Sequence, residues 1–266
     1  MRVALAQINT ILGAVGENIK KIERYVDNAN EEHCDLIVFP ELALSGYSLR
    51  DIVKDASVSK ESAIFDNLKE KSRKIDIVLG YDQNDNGYFY NSALYFSKGE
   101  IIHNYKKVHL PDYGMFEESR YFKNGKNIDA FDTANGRISL LICEDMFHLS
   151  AQGYVDKLET DILIILSASP FWANSKKIKP EIWKYMCVNF ATLSSNFVLF
   201  SNRVGFEDGV GFFGNSLCVD PNGNIIKEAS LFKEEMVVAD IDLKEIKRAK
   251  EIMPLKKSIS YYETAK

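Results

Sequence analysis

Short apolar runs that return along the whole chain, separated by helix-length segments or tight turns, constrain the fold more than any other sequence feature. Leu36–Phe39, Asp161–Leu166 and Phe197–Ser201 are short enough for buried strands. Glu17–Asn30 instead has apolar residues three and four positions apart, which predicts a helix with one buried stripe. The residues of that stripe are Ile19, Ile22, Val26 and Ala29.

The same reasoning places further helices, strands and hairpins. The predicted helices after the first are Lys60–Lys74, Ala151–Thr160, Pro180–Ser195 and Leu243–Glu251. The other predicted strands are Arg2–Ile8, Ile75–Tyr81, Tyr88–Phe96, Ile101–Tyr105, Ile128–Thr133, Arg137–Ile142, Phe212–Asp220, Asn224–Glu228 and Met236–Ile241. Asn-Gly pairs mark several of the turns. This pattern predicts an α/β domain with two sheets between helical layers. A doubly wound single sheet would give a similar spacing of apolar residues, so it stays open as an alternative.

Composition excludes several classes of protein. The 266 residues are 46% apolar and 27% charged with a net charge of −5, which argues against disorder and against nucleic acid or anionic membrane as the main partner. No apolar run approaches the roughly 18 residues of a membrane span. The apolar run at the N-terminus is too short for the hydrophobic region of a signal peptide. The four cysteines include no CxxC pair. We therefore expect a cytoplasmic protein with reduced thiols and no metal site.

Cys143 is the first candidate for a reactive side chain. It ends the apolar run Ile138–Ile142 and is followed at once by Glu144 and Asp145. A thiol displayed in a sharp turn after a buried strand is suited to nucleophilic attack. The alternative is a buried cysteine that packs as a small apolar residue.

Glu41 is the second candidate, because it follows an apolar strand and a proline in Phe39-Pro40-Glu41-Leu42. In open α/β sheets, ligands bind at the carboxyl ends of the strands. A carboxylate there could act as a base toward a thiol. The alternative is an acidic residue that starts a helix at a loop.

Two further segments carry charge between apolar residues. Alternation along a strand would point Lys106 and Lys107 to opposite faces, so that one could turn inward and stabilise an oxyanion. The alternative is a pair of surface lysines on an edge strand. Phe116–Phe122, which contains Glu118, is by itself typical of a polar loop with aromatic anchors.

Taken in order, these four segments resemble the nitrilase superfamily of carbon–nitrogen hydrolases. That superfamily has a Glu after an apolar strand and Pro, a Lys in KxHL, a Glu in ExxxFxxG and a Cys in ICED. The matching residues here are Glu41, Lys107, Glu118 and Cys143. The resemblance covers nearly the whole chain and implies a four-layer α-β-β-α sandwich of nitrilase type. It also implies a hydrolase domain over 1–253 and a C-terminal tail over 254–266 that reaches a dimer interface.

Within the superfamily, the chain looks most similar to the glutamine-amidase domain of glutamine-dependent NAD synthetases. The similar segments are Glu41–Tyr47 (ExxLxGY), Leu110–Gly114 (LPxYG), Cys143–Asp145 (CED), Ser167–Pro170 (SASP) and Asn202–Gly205 (NxVG). Two features depart from that branch: Phe147 stands where it usually has Trp, and the 266 residues resemble its amidase part alone, so we expect no synthetase domain here. These departures leave other small linear amides open as substrates.

The resemblance implies a mechanism. Cys143 would attack an amide carbonyl, and Glu41 would take the thiol proton and pass it to the leaving amine. Lys107 and a backbone N–H after Cys143 would hold the oxyanion, and Glu118 would position Lys107. The residues that the resemblance places around the substrate are Tyr47, Tyr113, Glu144, Phe147 and Ser169. It implies no metal or organic cofactor and at least a homodimer, and it leaves open whether a separate synthetase receives the ammonia.

Other functions remain open at this level. The same cysteine could support acyl transfer to an amine or alcohol, or the chain could be a non-catalytic binding or assembly subunit. A metal-dependent phosphodiesterase is disfavoured because no Asp/His/Asn cluster follows the strands. His109 is expected to be a structural histidine rather than a catalytic one. Glu117 and Arg203 are candidates for a charged pair that would bind the ends of an amino-acid amide.

Overall fold

The computed structural model describes residues 1–171 and 180–255, which form three sheets with helices outside them. The strands are β1 (Arg2–Gln7), β2 (Leu36–Val38), β3 (Asp76–Asp85), β4 (Tyr88–Ser97), β5 (Glu100–Lys106), β6 (Ala130–Thr133), β7 (Gly136–Ile142), β8 (Ile162–Ser167), β9 (Pro170–Phe171), β10 (Phe197–Asn202), β11 (Val204–Glu207), β12 (Val210–Phe213), β13 (Leu217–Val219), β14 (Ile225–Glu228) and β15 (Glu235–Asp240). The α-helices are α1 (Val15–Glu31), α2 (Val53–Ala56), α3 (Asp66–Lys71), α4 (Glu118–Tyr121), α5 (Leu149–Lys157), α6 (Pro180–Ser194) and α7 (Lys244–Ile252). Single 3₁₀ turns cover Arg50–Ile52, Ala63–Phe65 and Cys143–Phe147.

The two large sheets repeat one plan. The first has the order β15-β1-β2-β3-β4-β5 and the second β14-β13-β10-β8-β7-β6. In each sheet, three neighbouring strands run parallel and the strands on either side of them run antiparallel. The parallel strands bring their carboxyl ends to one edge of each sheet, where ligands bind in α/β proteins. A small sheet, β11-β12-β9, is separate from these two.

Alternation along the strands of the first sheet separates two apolar layers. In β1, Val3 and Leu5 join the core shared with the second sheet, whereas Ala4 and Ala6 belong to a cluster with α1 and α3. Successive side chains of a strand point to opposite faces of the sheet, so the residues of β1 contribute alternately to the two apolar layers. The second sheet packs its other face on α5 and α6, whose buried residues belong to the same core as its strands. The predicted sandwich of two sheets between helices is confirmed, and a single doubly wound sheet is excluded.

A predicted helix and a predicted strand differ from the structure. The helix predicted over Lys60–Lys74 is reduced to a 3₁₀ turn and the short helix α3. Val58 pairs with Gln83 of β3, which holds the chain extended before this segment, and Ser62 caps the 3₁₀ turn by accepting the N–H of Ile64. The stripe of α1, by contrast, is buried as predicted.

The strand predicted over Phe212–Asp220 is interrupted in the middle. Gly214 (φ +73°) and Asn215 (φ +61°) adopt left-handed backbone conformations that end β12 before β13 begins. A Cβ at Gly214 would lie 2.5 Å from the side chain of Gln7, so only glycine allows this close approach. The break lets β12 join the small sheet while β13 joins the second large sheet.

The predicted tail over 254–266 lies outside the described residues from 256 onward, and so does its predicted place at a dimer interface. In the part of the chain that the structure describes, no helix is long and apolar enough to cross a membrane.

Candidate active site

The four charged or reactive residues predicted from the sequence meet at the carboxyl ends of strands from both sheets. Glu41 lies shortly after β2, Lys107 directly follows β5, and Cys143 directly follows β7. Glu118 begins the short helix α4, where the sequence predicts a polar loop. Lys107 joins the two acids: its Nζ donates to Glu41 Oε1 at 2.8 Å and contacts the Glu118 oxygens at 2.8 and 2.9 Å.

The two neighbouring lysines point to opposite faces, as predicted. Lys107 is completely buried, whereas Lys106 is partly exposed, pairs with Asp85 at 2.6 Å and lies over the ring of Tyr90. The motif glycine Gly125 donates its N–H to the carbonyl of Lys107 at 2.7 Å. A Cβ at that glycine would lie 2.0 Å from the carbonyl oxygen of Lys106. The motif therefore needs glycine so that the chain can pass close to the lysine strand.

Glu41 is held by three donors and is fully buried. Its Oε1 accepts from Lys107 and from Asn91 Nδ2 at 2.7 Å, and its Oε2 accepts from the backbone N–H of Ala168 at 2.8 Å. Each carboxylate oxygen can accept two hydrogen bonds. The three donors therefore fix the orientation of the carboxylate and leave one acceptor position, on Oε2, for a proton.

The bend that carries Glu41 depends on its neighbours. Leu42 has a left-handed backbone (φ +49°), and the turn lies directly against β3. A Cβ at Gly80 of that strand would lie 2.3 Å from the carbonyl oxygen of Pro40. A glycine distant in sequence thus provides the space in which the carboxylate turns into the site.

Cys143 occupies a strained turn, in agreement with the predicted sharp turn. Its φ is +46°, which is uncommon for a residue with a side chain and marks a position held by its surroundings. The buried carboxylate of Asp145 holds it, accepting the N–H groups of Ile142 at 3.1 Å and His109 at 2.8 Å and the hydroxyl of Tyr105 at 2.7 Å. This carboxylate ties the cysteine turn to the strand end that carries the lysine.

The Cys143 thiol is protonated in this environment. Burial and then the negative charge of Glu41 raise the pKa of Cys143 well above its usual range, and the ammonium of Lys107 only partly opposes them. The Sγ accepts a weak hydrogen bond from Ser167 Oγ at 3.5 Å. Because the thiolate is the nucleophilic form, this cysteine requires a base at the moment of attack.

Lys107 and Glu118 shift each other's pKa. Burial alone would lower the pKa of Lys107, but the carboxylates of Glu118 and Glu41 outweigh it and hold the pKa well above its usual value. Burial raises the pKa of Glu118 to about 7, although Lys107 and the Tyr47 hydroxyl both favour its charged form. The lysine therefore stays charged, while Glu118 changes its charge near neutral pH.

Two of the residues predicted to contact substrate belong to the buried part of the site. Tyr47 Oη donates to Glu118 Oε1 at 2.6 Å, so its hydroxyl is part of the charged cluster. Ser169 is buried beside the backbone N–H that holds Glu41, and its own N–H donates to Asn202 Oδ1 at 3.0 Å.

The other predicted substrate contacts lie near the cysteine turn, where Tyr113 and Phe147 are exposed and Glu144 is partly buried. Tyr113, which is 54% exposed, donates its hydroxyl to Glu144 Oε2 at 2.7 Å. Phe147 is 42% exposed and packs its ring at 84° against Trp183, with the ring centroids 5.1 Å apart. Their roles toward a substrate stay predictions.

The charged pair suggested for an amino-acid substrate does not form. Glu117 is exposed and pairs with Arg120 at 3.6 Å. Arg203 is fully buried and pairs with Glu207 at 2.5 Å, so it is not free to bind a substrate carboxylate.

His109 has the structural role expected of it. Its Nδ1 lies 3.0 Å from Asp145 Oδ1, and its ring stacks on His148 with the centroids 3.7 Å apart. It therefore supports the cysteine turn and is not paired with the thiol in this structure.

Two residues of the site are missed by sequence reasoning. Asn91 binds Glu41, and its signal is visible: a polar Asn91-Ser92 pair interrupts the apolar run of β4. Glu207, which accepts the N–H groups of Tyr47 and Ser48, has no local signal because it lies on a hairpin about 160 residues away.

A cavity of about 210 Å³ lies beside the charged cluster. Tyr47 and Glu118 form part of its wall, and apolar side chains such as Leu49, Met115 and Phe122 form most of the rest. Among the described residues, no group of three or more His, Cys, Asp or Glu side chains could hold a metal ion.

Comparison with known proteins gives one family. The model of the carbon-nitrogen hydrolase family matches residues 2–251. Glutamine-dependent NAD(+) synthetase of Acinetobacter baylyi is 30% identical over 255 residues, which are 95% of this chain and 46% of that protein. The chain thus spans about half the length of such curated relatives.

Solved structures give the same result. Glutamine-dependent NAD+ synthetase of Acinetobacter baumannii superposes with a TM-score of 0.83 at 29% identity, over 92% of this chain and 46% of that chain. Nit3 of Saccharomyces cerevisiae, a member of branch 10 of the nitrilase superfamily, superposes with a TM-score of 0.85 at 25% identity, over 97% and 96% of the two chains. The family model covers nearly the whole sequence, and the fold of its relatives is the fold described above. The chain is therefore a carbon–nitrogen hydrolase of the nitrilase superfamily.

Proposed function

We propose that this protein is an amidase that cleaves a small linear amide through a thioester on Cys143 and releases ammonia. The observation that carries the proposal is the buried Lys107 ammonium, hydrogen-bonded to both Glu41 and Glu118, within electrostatic reach of a protonated thiol. This set supplies a base, a nucleophile and a positive charge in one water-poor site.

The first step is attack on the amide carbonyl carbon. Glu41 takes the thiol proton on the free acceptor position of Oε2 while the Cys143 sulfur forms the new bond. Breaking the carbon–nitrogen bond leaves the acyl group as a thioester, and the proton passes from Glu41 to the leaving amine. The amine of a primary amide then leaves as ammonia.

Lys107 can serve the oxyanion without leaving either acid. The ammonium has three N–H groups: one is directed to Glu41, and the two Glu118 oxygens at 2.8 and 2.9 Å can share a second. The third N–H and the backbone N–H of Glu144, at the start of the cysteine turn, can then donate to the carbonyl oxygen. One such donor typically contributes about 2.7–4 kcal/mol to the lowering of the barrier.

The second step returns the enzyme to its starting state. Glu41, ionised again after ammonia has left, takes a proton from water, and the hydroxide formed attacks the thioester carbon. The carbon–sulfur bond breaks, the proton returns to the sulfur of Cys143, and the carboxylic acid leaves. If an amine or alcohol attacks in place of water, the same residues perform acyl transfer, which is the alternative reaction.

Glutamine and ω-amides of short dicarboxylic acids are the first substrates to consider. Support for glutamine comes from the similarity to glutamine-dependent NAD(+) synthetases at about 30% identity. A homodimer and transfer of the ammonia to a separate synthetase are further proposals, which light scattering and co-purification would test.

The test is ammonia release from glutamine, asparagine, ω-amides, simple aliphatic amides and N-carbamoyl amino acids. We expect one class to be hydrolysed, and Cys143→Ala to lower that rate by at least about 10⁴-fold. Cys34→Ala, which removes a buried thiol outside the site, is the matched control and should keep the rate.

The outcomes separate the alternatives. Equal ammonia release by the wild type and Cys143→Ala would overturn the assignment of the nucleophile. If no ammonia appears, an amide consumed only when hydroxylamine is present, with formation of a hydroxamate, indicates acyl transfer. If the folded protein consumes no amide and iodoacetamide leaves Cys143 unmodified, the chain is a non-catalytic subunit.

A further inference from the structure

A buried ion pair outside the reacting groups holds the loop that carries Tyr47. The Glu207 side chain is 2% exposed and lies on the hairpin formed by β11 and β12. Its Oε1 accepts the backbone N–H of Tyr47 at 3.0 Å and of Ser48 at 2.6 Å. Its Oε2 pairs with Arg203 Nη1 at 2.5 Å. One carboxylate therefore links the hairpin to the tyrosine loop.

The loop is shaped to receive this carboxylate. Gly46 has φ +85°, and a Cβ there would lie 2.5 Å from Glu207 Oε2. Glycine is required at this position both for its backbone conformation and for the close approach of the acid. The motif glycine that precedes Tyr47 thus has a physical reason that the local sequence does not reveal.

The arginine holds the other side of the tyrosine. Arg203 donates from Nη2 to the carbonyl of Thr10 at 2.9 Å, and its guanidinium lies 4.5 Å above the ring of Phe212. That ring and the ring of Tyr47 contact each other edge to face, with the centroids 6.1 Å apart. Glu207 thus holds the backbone of Tyr47, and Phe212, which lies under the Arg203 guanidinium, contacts its ring.

The tyrosine hydroxyl then reaches the charged cluster. It donates to Glu118 Oε1 at 2.6 Å, and Glu118 in turn binds Lys107. We propose that Glu207, paired with Arg203, is a positioning residue that fixes the Tyr47 hydroxyl on Glu118 and so sets the place of Lys107 for the reaction. The proposal deepens the proposed amidase function and rests on it.

A buried ion pair by itself is weak grounds for a functional role. Desolvation of two charges can cost more than their attraction returns, and many such pairs could be replaced by apolar residues. Here the carboxylate also serves two backbone N–H groups of the loop, one of them belonging to the tyrosine that touches Glu118. A measurement that reports the pKa of Glu118 can therefore separate a positioning role of Glu207 from simple stabilisation of the fold.

The pH dependence of the reaction supplies that readout. The groups that interact with Glu118 are Lys107, Glu41, the Tyr47 hydroxyl, Cys143 and Asp82, and its pKa is about 7. The hydrogen bond from Tyr47 favours the charged form of Glu118, so loss of that bond raises the pKa of Glu118. A variant that releases the tyrosine should therefore move the acid limb of the rate profile to higher pH.

The experiment compares Tyr47→Phe, Glu207→Gln and the double variant by kcat/KM across pH. We expect each single variant to lose about 10-fold and to shift the acid limb upward. The double variant should lose no more than Tyr47→Phe alone, because both changes remove the same interaction. Glu70→Gln, which neutralises an exposed acid of α3 paired with Arg73 outside the site, is the control and should behave like the wild type.

Two results would overturn the positioning role. One is a Glu207→Gln profile with an unshifted acid limb, and the other is a double variant whose losses multiply. If Glu207→Gln does not fold, Glu207→Asp carries the same test, because it keeps the charge beside Arg203 but its shorter side chain withdraws the carboxylate from the N–H groups of Tyr47 and Ser48.

Failure of the proposed function gives a different pattern. In that case the wild type hydrolyses no amide, and the rate of Cys143 alkylation by iodoacetamide across pH replaces kcat/KM. The charge of Glu118 acts on the pKa of Cys143, so the alkylation profile also reports on Glu118. An alkylation profile that is the same in Glu207→Gln and the wild type would contradict positioning independently of the substrate.

Discussion

The space between the two sheets and the site at their edge are buried to the same degree and are built in opposite ways. Between the sheets, side chains such as Val38 and Leu140 are fully buried and apolar. At the edge, Glu41 and Lys107 are equally buried and charged. Burial of apolar area stabilises the fold, whereas burial of charge is costly unless every charge has a partner. The stability of the interior therefore depends on how fully apolar side chains fill it, whereas the stability of the site depends on the pairing of its charged groups.

The largest effect expected from this comparison is at Lys107. Lys107→Met leaves the carboxylates of Glu41 and Glu118 buried without their partner, which should lower the free energy of unfolding by about 3–5 kcal/mol. It also removes an oxyanion donor, so kcat/KM should fall by at least about 10²–10³-fold. Urea unfolding and amide hydrolysis measure the two effects.

Lys106→Met is the matched control for that change. Its ammonium is partly exposed and pairs with an exposed acid, Asp85, so its removal should change stability by less than about 1 kcal/mol. If the two lysine variants were equally stable and equally active, the contrast between the paired site and its surroundings would fail.

The interior should respond in stability alone. Leu140→Ala removes apolar volume from a fully buried position of β7 and should lower the free energy of unfolding by about 2–5 kcal/mol. The folded fraction should keep its kcat/KM, because the strand still ends in the same turn. Leu149→Ala, at a position 92% exposed, should cost less than about 0.5 kcal/mol. A Leu140→Ala enzyme that is stable but slow would show that packing between the sheets directly affects the catalytic geometry of the site.

The same contrast explains what the sequence predicts and what it does not. Periodicity predicts the buried stripe of α1 and most strands of the sandwich, because each depends on neighbours within one element. The ordered motifs predict Glu41 and Cys143, because each follows a recognisable strand. Glu207 acts on a residue about 160 positions away and no local pattern reports it, whereas Asn91 leaves a polar break in β4 that does not identify Glu41, about 50 positions away, as its partner.

The break at Gly214 has the same origin. The segment reads as one strand, yet Gly214 lies against Gln7, more than 200 residues earlier in the chain. Tertiary contact overrides local β-propensity at this point. The parts that cannot be predicted are thus the contacts that bring distant segments to the site.

Glu118 should set the acid limb of the reaction. Its pKa is about 7, so the carboxylate that holds Lys107 takes up a proton as the pH falls through that value. We expect kcat/KM of the wild type to fall below about pH 7. Glu118→Gln, which resembles the protonated form, should be slower and should lose this limb. A Glu118→Gln profile with the same limb would assign the titration to another group.

The smallest effect is expected at Asp82, a buried acid next to the site but outside the reacting set. It accepts a hydrogen bond from Ser45, and burial followed by the charges of Glu207 and Glu41 raises its pKa well above the ordinary value. The folded protein therefore binds this proton more tightly than the unfolded chain does. Stability from this group is present below the unfolded pKa and is lost as the pH rises toward the folded pKa.

Asp82→Asn keeps a neutral side chain at every pH, so it should remove that loss. We expect its Tm to equal or exceed that of the wild type near pH 8 and the difference to shrink toward about pH 4. Asp85→Asn, at the exposed end of the same strand, is the control with the opposite sign. Lys106 lowers the pKa of Asp85, so the charged form stabilises the fold above the unfolded pKa, and Asp85→Asn should lose a small amount of stability at neutral pH. A Tm difference for Asp82→Asn that does not change with pH would mean that this buried acid is charged in the folded protein and stays ionised next to the site.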